Sequence, residues 1–204
     1  MGRRLKGVAL VAVVAASGLA LLAWSQAWFR LELVAGPWPP GPSEVAGSVA
    51  SPALSALTLA GLALAAALAL AGPVIRVILG ILGALLGACI VLAASLSLAD
   101  PAGAVLPAVT GATGVAGAPA RELVAAVDAT VWPGVAIAGG VLLALAGVFV
   151  AATGSRWPAS SRKYRSARFE PAADDTRNAR DRAVDDWDEL SRGDDPTDAG
   201  GRPE

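Results

Sequence analysis

The sequence predicts an all-α membrane protein, in which a bundle of four transmembrane helices is followed by a largely disordered acidic C-terminal tail. Of its 204 residues, 55% are hydrophobic, above the roughly 45–50% of soluble domains. Four stretches carry no charge, namely 7–29, 45–75, 77–99 and 129–155. Each can hold the ~20 apolar residues of a spanning helix. Because a charge costs about 2.5–3.5 kcal/mol at the bilayer centre, this pattern indicates a multi-pass protein.

The charges divide the chain into two regions. Residues 1–169 carry 11 basic and 5 acidic side chains, whereas residues 170–204 carry 5 basic and 12 acidic ones. We therefore predict a transmembrane domain at 1–155, a basic juxtamembrane segment at 156–169 and an acidic tail at 170–204. Cys89 is the one cysteine and histidine is absent, so an intramolecular disulfide is excluded and the commonest metal ligand is missing.

The first span is predicted at about residues 5–29. Basic residues precede it, and Trp24 and Trp28 close it, four residues apart on one helix face. We expect both indole rings to anchor the helix at the membrane interface. A cleaved signal peptide is the alternative for this segment, because a basic start followed by an apolar run fits both.

The remaining spans are predicted at about 53–71, 74–98 and 132–153, with Trp132 as a further interface anchor. Gly72-Pro73 separates the second span from the third, which predicts a tight antiparallel hairpin. Arg76 is expected to extend its charged group from there to the membrane surface.

Small residues recur at a spacing of four in the spans. Gly83 and Gly87 form a GxxxG pattern in the third span, and such pairs allow helix backbones to approach closely. We interpret them as candidate packing residues within the bundle. Contact between copies in a homo-oligomer is the alternative.

The basic residues predict the orientation. With the N-terminus inside, nine Lys and Arg residues lie on the cytoplasmic side, against Arg30 and Arg121 in the outer loops. The positive-inside rule therefore places both termini in the cytoplasm. The expected location is the plasma (inner) membrane. Arg156 and Trp157, directly after the last span, are expected to anchor the chain at the inner interface.

The two outer loops are expected to be plain connectors. Residues 29–33 alternate between apolar and charged, which favours a short strand or an amphipathic exit from the membrane. The Gly, Ala and Pro content of residues 100–118 predicts a flexible loop, followed by a short helix from Pro119 through Val127.

No group of residues in the sequence has the pattern of a catalytic, cofactor-binding or metal site. Mid-membrane polar residues are limited to Ser17, Thr58 and Ser95, and each can hydrogen-bond to the preceding helical turn. We therefore expect neither enzymatic activity nor a cofactor. The lipid bilayer is the expected partner, and no nucleic acid is expected.

Two motifs near the C-terminus resemble those of a known family. They are RWP-x-x-S-x-x-Y, beginning at Arg156, and W-D-x-L-x-x-G-x-D-P-T, beginning at Trp187. SPALSAL at 51–57 and AWSQAW at 23–28 are similar too. These features resemble the actinobacterial tryptophan-biosynthesis-associated membrane proteins, four-span proteins usually encoded among tryptophan biosynthesis genes. The sequence departs from the pattern at Ala159, where a bulky apolar residue is typical. The resemblance implies an association with tryptophan biosynthesis and no particular catalytic residue.

The acidic tail contains a possible amphipathic helix. Val184, Trp187 and Leu190 recur at a spacing of three and form one apolar stripe. One hypothesis is an accessory protein whose tail docks a cytosolic partner through this stripe. A solubilising tail without a binding role is the alternative. A permease or exporter for tryptophan, indole or a related metabolite, and a structural subunit of a membrane complex, are further hypotheses.

Overall fold

Four long helices form the membrane domain. The computed structural model describes residues 2–37 and 44–154. The helices are α1 (Gly2–Ser25), α3 (Ala53–Leu70), α4 (Pro73–Ala99) and α7 (Trp132–Thr153). Each is long and apolar enough to cross a membrane, which confirms the predicted four-span, mostly helical class.

The four helices are arranged as a ring. Helix α1 lies beside α3 and α7, and α4 lies beside the same two helices. The inner face buries small and branched side chains, including Val13, Leu54, Ile90, Leu143 and Val150. Many large apolar side chains are exposed instead, such as Leu70 at 87% and Val74 at 75%. Since hydrocarbon does not penalise such exposure, this surface is suited to lipid.

The two long connectors, between α1 and α3 and between α4 and α7, form a compact cap at one end of the bundle. Its elements are β1 (Ala27–Leu33), β2 (Glu44–Ala46), α2 (Gly47–Ala50), α5 (Pro101–Thr113), α6 (Ala118–Glu122) and β3 (Val124–Ala129). The strands form one antiparallel sheet in the order β2-β1-β3. We call residues 26–37, 44–52 and 100–131 the cap. It joins the first outer loop to the second, which lie far apart in the sequence.

The cap corrects three predictions about the outer loops. The expectation of plain connectors is wrong, because both loops contribute strands to one sheet. The expected flexible loop at 100–118 is largely helix α5, which Asp100 caps by accepting a hydrogen bond from the Gly103 amide at 3.0 Å. Gly114, with φ of 69°, ends that helix in the left-handed conformation. The helix predicted through Val127 ends at Glu122, since the following residues pair with β1.

The first span is shorter than predicted. Helix α1 ends at Ser25, and residues 27–33 form β1. The alternation at 29–33 is that of a strand with one buried side: Phe29 and Leu31 are buried, whereas Arg30 and Glu32 are exposed. Of the two expectations for this segment, the short strand is confirmed.

Candidate functional site

Helices α4 and α7 are in direct backbone contact along a line of glycines. A Cβ atom placed on Gly87 would lie 2.4 Å from the Ala144 nitrogen, and one on Gly80 would lie 2.5 Å from the Ala151 nitrogen. From the other side, a Cβ on Gly147 would lie 2.3 Å from the Ala84 nitrogen. No side chain can be added at these positions without separating the helices. We call this contact the glycine seam.

The predicted packing residues differ in their surroundings. Gly87 belongs to the seam, but a Cβ on Gly83 would be at an ordinary 3.5 Å from the Gly147 Cα and from Leu64. Both residues face other helices of the same chain. This is the arrangement expected if the GxxxG residues pack within the bundle.

Polar groups inside the bundle are few and uncharged at mid-depth. The Thr58 hydroxyl donates to the Ser55 carbonyl at 3.0 Å, as expected from the preceding turn. Ser17 is fully buried, and its Oγ has no hydrogen-bond partner among the described residues. A Cβ on Gly61 would lie 2.4 Å from that Oγ, so the hydroxyl faces helix α3. The expectation that Ser17 bonds to its own helix is therefore wrong.

Arg76 is buried rather than extended to the membrane surface. It lies in the first turn of α4 and has no exposed surface. A Cβ on Gly154, at the end of α7, would lie 3.1 Å from the Arg76 Cβ. The prediction that this side chain extends its charged group to the membrane surface is wrong, because no part of Arg76 is exposed.

Trp28 holds the cap against the end of α1. Its side chain is fully buried, and its Nε1 donates a hydrogen bond of 2.7 Å to the Ala23 carbonyl. Gly47 lies against the indole, since a Cβ there would be 2.5 Å from the Trp28 Nε1. The Ala23 carbonyl lies in the last turn of α1, and it also accepts a hydrogen bond from the Gln26 amide at 3.2 Å.

An ion pair joins the end of α4 to α6 in the cap. The Arg121 guanidinium donates to both carboxylate oxygens of Asp100, and the two side chains are about half exposed. The hydrogen bond from Arg121, with the one from the Gly103 amide, lowers the pKa of Asp100 below its ordinary value of 3.8. Asp100 therefore both caps α5 and fixes α6.

A polar cleft opens beside the sheet, with a volume of about 670 Å³. The ends of α1 and α7 border it, and the side chains of Gln26, Arg30, Glu44, Thr130 and Trp132 line it. The Thr130 hydroxyl donates to the Ala27 carbonyl at 2.7 Å and accepts from the Trp132 amide at 3.3 Å. These two bonds fix the entry of the chain into α7.

Charge differs between the two ends of the bundle. In the part of the chain that the structure describes, the cap carries five acidic residues and two arginines; the acidic residues are Glu32, Glu44, Asp100, Glu122 and Asp128. At the opposite end, the charged residues that the structure describes are all basic, including Lys6, whose Nζ donates to the Ala69 carbonyl at 2.7 Å. Over the described ranges, no group of three or more potential ligands could hold a metal ion.

The comparison with protein families gives one match. The model of the tryptophan-associated transmembrane proteins matches residues 10–197, which is most of the chain. The chain belongs to this family. The suspected family is thereby confirmed. Searches of curated proteins and of solved structures gave no match.

The interface anchors predicted for this family member have different surroundings. Trp24 and Trp132 are partly buried at the cap end of the bundle. Trp28 does not share a helix face with Trp24, because α1 ends at Ser25, and its complete burial removes it from contact with lipid. The prediction that Trp28 anchors the helix at the membrane interface is therefore wrong.

The other predicted site residues lie outside the described residues. These are the anchors Arg156 and Trp157 and the docking stripe of Val184, Trp187 and Leu190. The same is true of the predicted juxtamembrane segment, and of the tail with its proposed disorder and helix.

Sequence reasoning did not find the polar cleft. Arg30 was predicted only as a basic residue of an outer loop, and no sequence pattern linked it to Glu44, yet the two are register partners in the sheet. The strand-like alternation at 29–33 was the available signal. It indicated that Arg30 faces outward, but it did not identify the residues opposite.

Proposed function

We propose that this family member is a non-enzymatic accessory protein of tryptophan biosynthesis, held in the plasma membrane with both termini in the cytoplasm. Its tail would dock a cytosolic protein through the stripe of Val184, Trp187 and Leu190. The observation that carries this proposal is the glycine seam. The backbones of α4 and α7 touch and leave no room between these two helices for a substrate path, which supports a role for the bundle in holding the tail at the membrane.

The charge difference between the two ends supports the proposed orientation. Among the described residues, the basic end carries Arg3, Arg4, Lys6 and Arg76, whereas the cap carries two basic residues, Arg30 and Arg121. Because basic residues near spans are retained in the cytoplasm, this excess supports a cap on the outer side.

Cysteine labelling tests the orientation. Cys89 is first replaced by serine, and a cysteine is then introduced either at Ala125, exposed in β3, or at Ala199 in the tail. A membrane-impermeant maleimide added to intact cells should label only the Ala125→Cys protein. In lysed cells, both cysteine variants should be labelled. Labelling of the Ala199→Cys protein in intact cells would show that the proposed orientation is wrong.

Affinity purification of the full-length protein in mild detergent tests docking. We expect the wild-type protein to retain a cytosolic protein that the Trp187→Ala variant loses. Pro203→Ala is the matched control, because it is equally uncharged and lies outside the stripe. Identical retained proteins for wild type and Trp187→Ala would disprove docking through this residue.

A permease for tryptophan or a related metabolite, and a structural subunit of a larger complex, are the alternatives. The glycine seam leaves no path between α4 and α7, so a path would have to run elsewhere, for example between copies of a homo-oligomer. Uptake and efflux of labelled tryptophan in a deletion strain separate these alternatives. A deletion that changes flux, restored by the wild-type gene, would favour the permease.

A further inference from the structure

The polar cleft of the cap has the features of a binding site for a small zwitterion. Its volume of about 670 Å³ lies within the roughly 300–1,000 Å³ of small-molecule sites. We propose that it binds a molecule with an anionic oxygen group and a primary ammonium group, the first at Arg30 and the second at Glu44. This proposal does not depend on docking by the tail.

Arg30 and Glu44 present opposite charges side by side. They are register partners on β1 and β2, and both are exposed. Side chains directly opposite each other in an antiparallel pair begin about 5 Å apart. Even so, no ion pair joins Arg30 to Glu44 in the described part of the chain. Both charged groups therefore remain available to a ligand that carries the complementary pair.

The far side of Arg30 adds a second carboxylate. Asp128 is the register partner of Arg30 on β3, so Arg30 lies on the middle strand between two acidic register partners, of which Glu44 lines the cleft. A carboxylate or phosphate ligand can take a bidentate position on the Arg30 guanidinium. The N-terminus of α7 borders the same cleft, and its partial positive charge favours the anionic group there as well.

Uncharged groups provide the remaining contacts. Gln26 donates its amide to the Ser25 hydroxyl at 3.0 Å, which leaves its carbonyl oxygen as an acceptor for an ammonium group. Trp132 lines the same cleft. Its ring can receive an ammonium group over its face or an apolar side chain against its surface.

Two sources supply this chemistry. A free α-amino acid carries a carboxylate beside a primary ammonium group, and the head group of phosphatidylethanolamine carries a phosphate near one. The cleft is bordered by the ends of two spans, α1 and α7. It is therefore within reach of both an aqueous solute and a lipid head group.

The test uses the full-length protein in nanodiscs. L-serine and L-tryptophan are titrated calorimetrically in phosphatidylcholine, whose quaternary ammonium group has no hydrogen to donate. Thermal unfolding is then compared between phosphatidylcholine and phosphatidylethanolamine discs. The variants are Arg30→Gln and Glu44→Gln. Glu32→Gln is the control, an exposed acidic residue of β1 that does not line the cleft.

Saturable binding of either amino acid would support a free amino acid as the ligand. Arg30→Gln and Glu44→Gln should each weaken this binding about tenfold or more, and Glu32→Gln should weaken it less than about twofold. A higher unfolding temperature in phosphatidylethanolamine, lost in the first two variants only, supports the head group. Absence of both effects in the wild-type protein would overturn the proposal. So would equal effects of Glu32→Gln and Arg30→Gln.

Discussion

Substitution of Gly87 by alanine should separate two helices whose backbones touch. The new Cβ would lie 2.4 Å from the Ala144 nitrogen, 2.5 Å from the Gly140 oxygen and 2.8 Å from the Ala144 Cα. All three atoms belong to the backbone of α7, so no side chain can rotate to make room. An ordinary contact begins at 3.4 Å, which requires α4 and α7 to move apart by about 1 Å locally.

The expected cost follows from that movement. Overpacking typically costs about 1–3 kcal/mol, and a gap of about 0.5–1 Å forfeits a quarter to a half of the dispersion energy of the separated atoms. The better helix propensity of alanine returns about 1 kcal/mol. Because the obstructing atoms are backbone and the contact continues along the seam, we expect Gly87→Ala to lower the free energy of unfolding by about 2 kcal/mol.

Gly83 provides a matched control on the same helix. A Cβ there meets the Gly147 Cα and Leu64 at 3.5 Å, which is ordinary contact. Gly83→Ala should therefore be neutral or stabilising by up to about 1 kcal/mol, from helix propensity and a buried methyl group. Gly18→Ala, with nothing within 4 Å of its Cβ, reports helix propensity alone.

Unfolding of the purified protein by increasing SDS in mild detergent, followed by near-ultraviolet circular dichroism, measures these differences. We expect Gly87→Ala to unfold at a lower SDS fraction than wild type, and Gly83→Ala at an equal or higher fraction. If the two variants agreed within about 0.5 kcal/mol, close backbone contact would not govern the stability of the seam.

Three further substitutions test the cap by thermal unfolding. Trp28→Phe should cost about 1–3 kcal/mol because it removes the hydrogen bond to Ala23. Trp24→Phe should be close to neutral because the Trp24 Nε1 is buried without a partner in the described ranges. Equal losses of stability in the two variants would contradict this reasoning. Asp100→Asn should lower the unfolding temperature at neutral pH. Since the folded-state pKa of Asp100 is lowered, the contribution of its carboxylate to stability is present above the ordinary value of 3.8 and is lost as the pH falls through the folded-state pKa. The unfolding temperatures of the variant and the wild type should therefore converge in acid. A difference that stays constant with pH would refute the ion pair as its cause. Thr130→Val should cost about 1 kcal/mol by removing the bonds to Ala27 and Trp132, and an unchanged unfolding temperature would refute this.

The number and type of the membrane spans could be read from the amino acids alone. Whether a segment can cross hydrocarbon depends on its own length and on the absence of charge, which are local properties. The predicted spans at 53–71, 74–98 and 132–153 therefore agree with α3, α4 and α7 to within one residue at each end. The helix stop at Gly72-Pro73 is equally local, and it lies between α3 and α4 as predicted.

The cap depended on contacts between distant parts of the chain. Phe29 is apolar and extends the first hydrophobic run, so hydropathy alone continued the helix to this residue. In the folded chain Phe29 pairs with Val45 and Ala129, and these hydrogen bonds across strands replace those of a helix. The pairing with Ala129 joins residues a hundred positions apart, so no local window contains it.

The same distinction separates the two kinds of candidate site residue. A GxxxG pattern shows that one helix face carries small residues. Whether a methyl group fits there depends on the partner helix, and this dependence distinguishes Gly87 from Gly83. Likewise, Arg30 and Glu44 become neighbours only through the register of β1 with β2. Hydropathy and charge act residue by residue, whereas packing distances and strand register are properties of pairs that folding alone brings together.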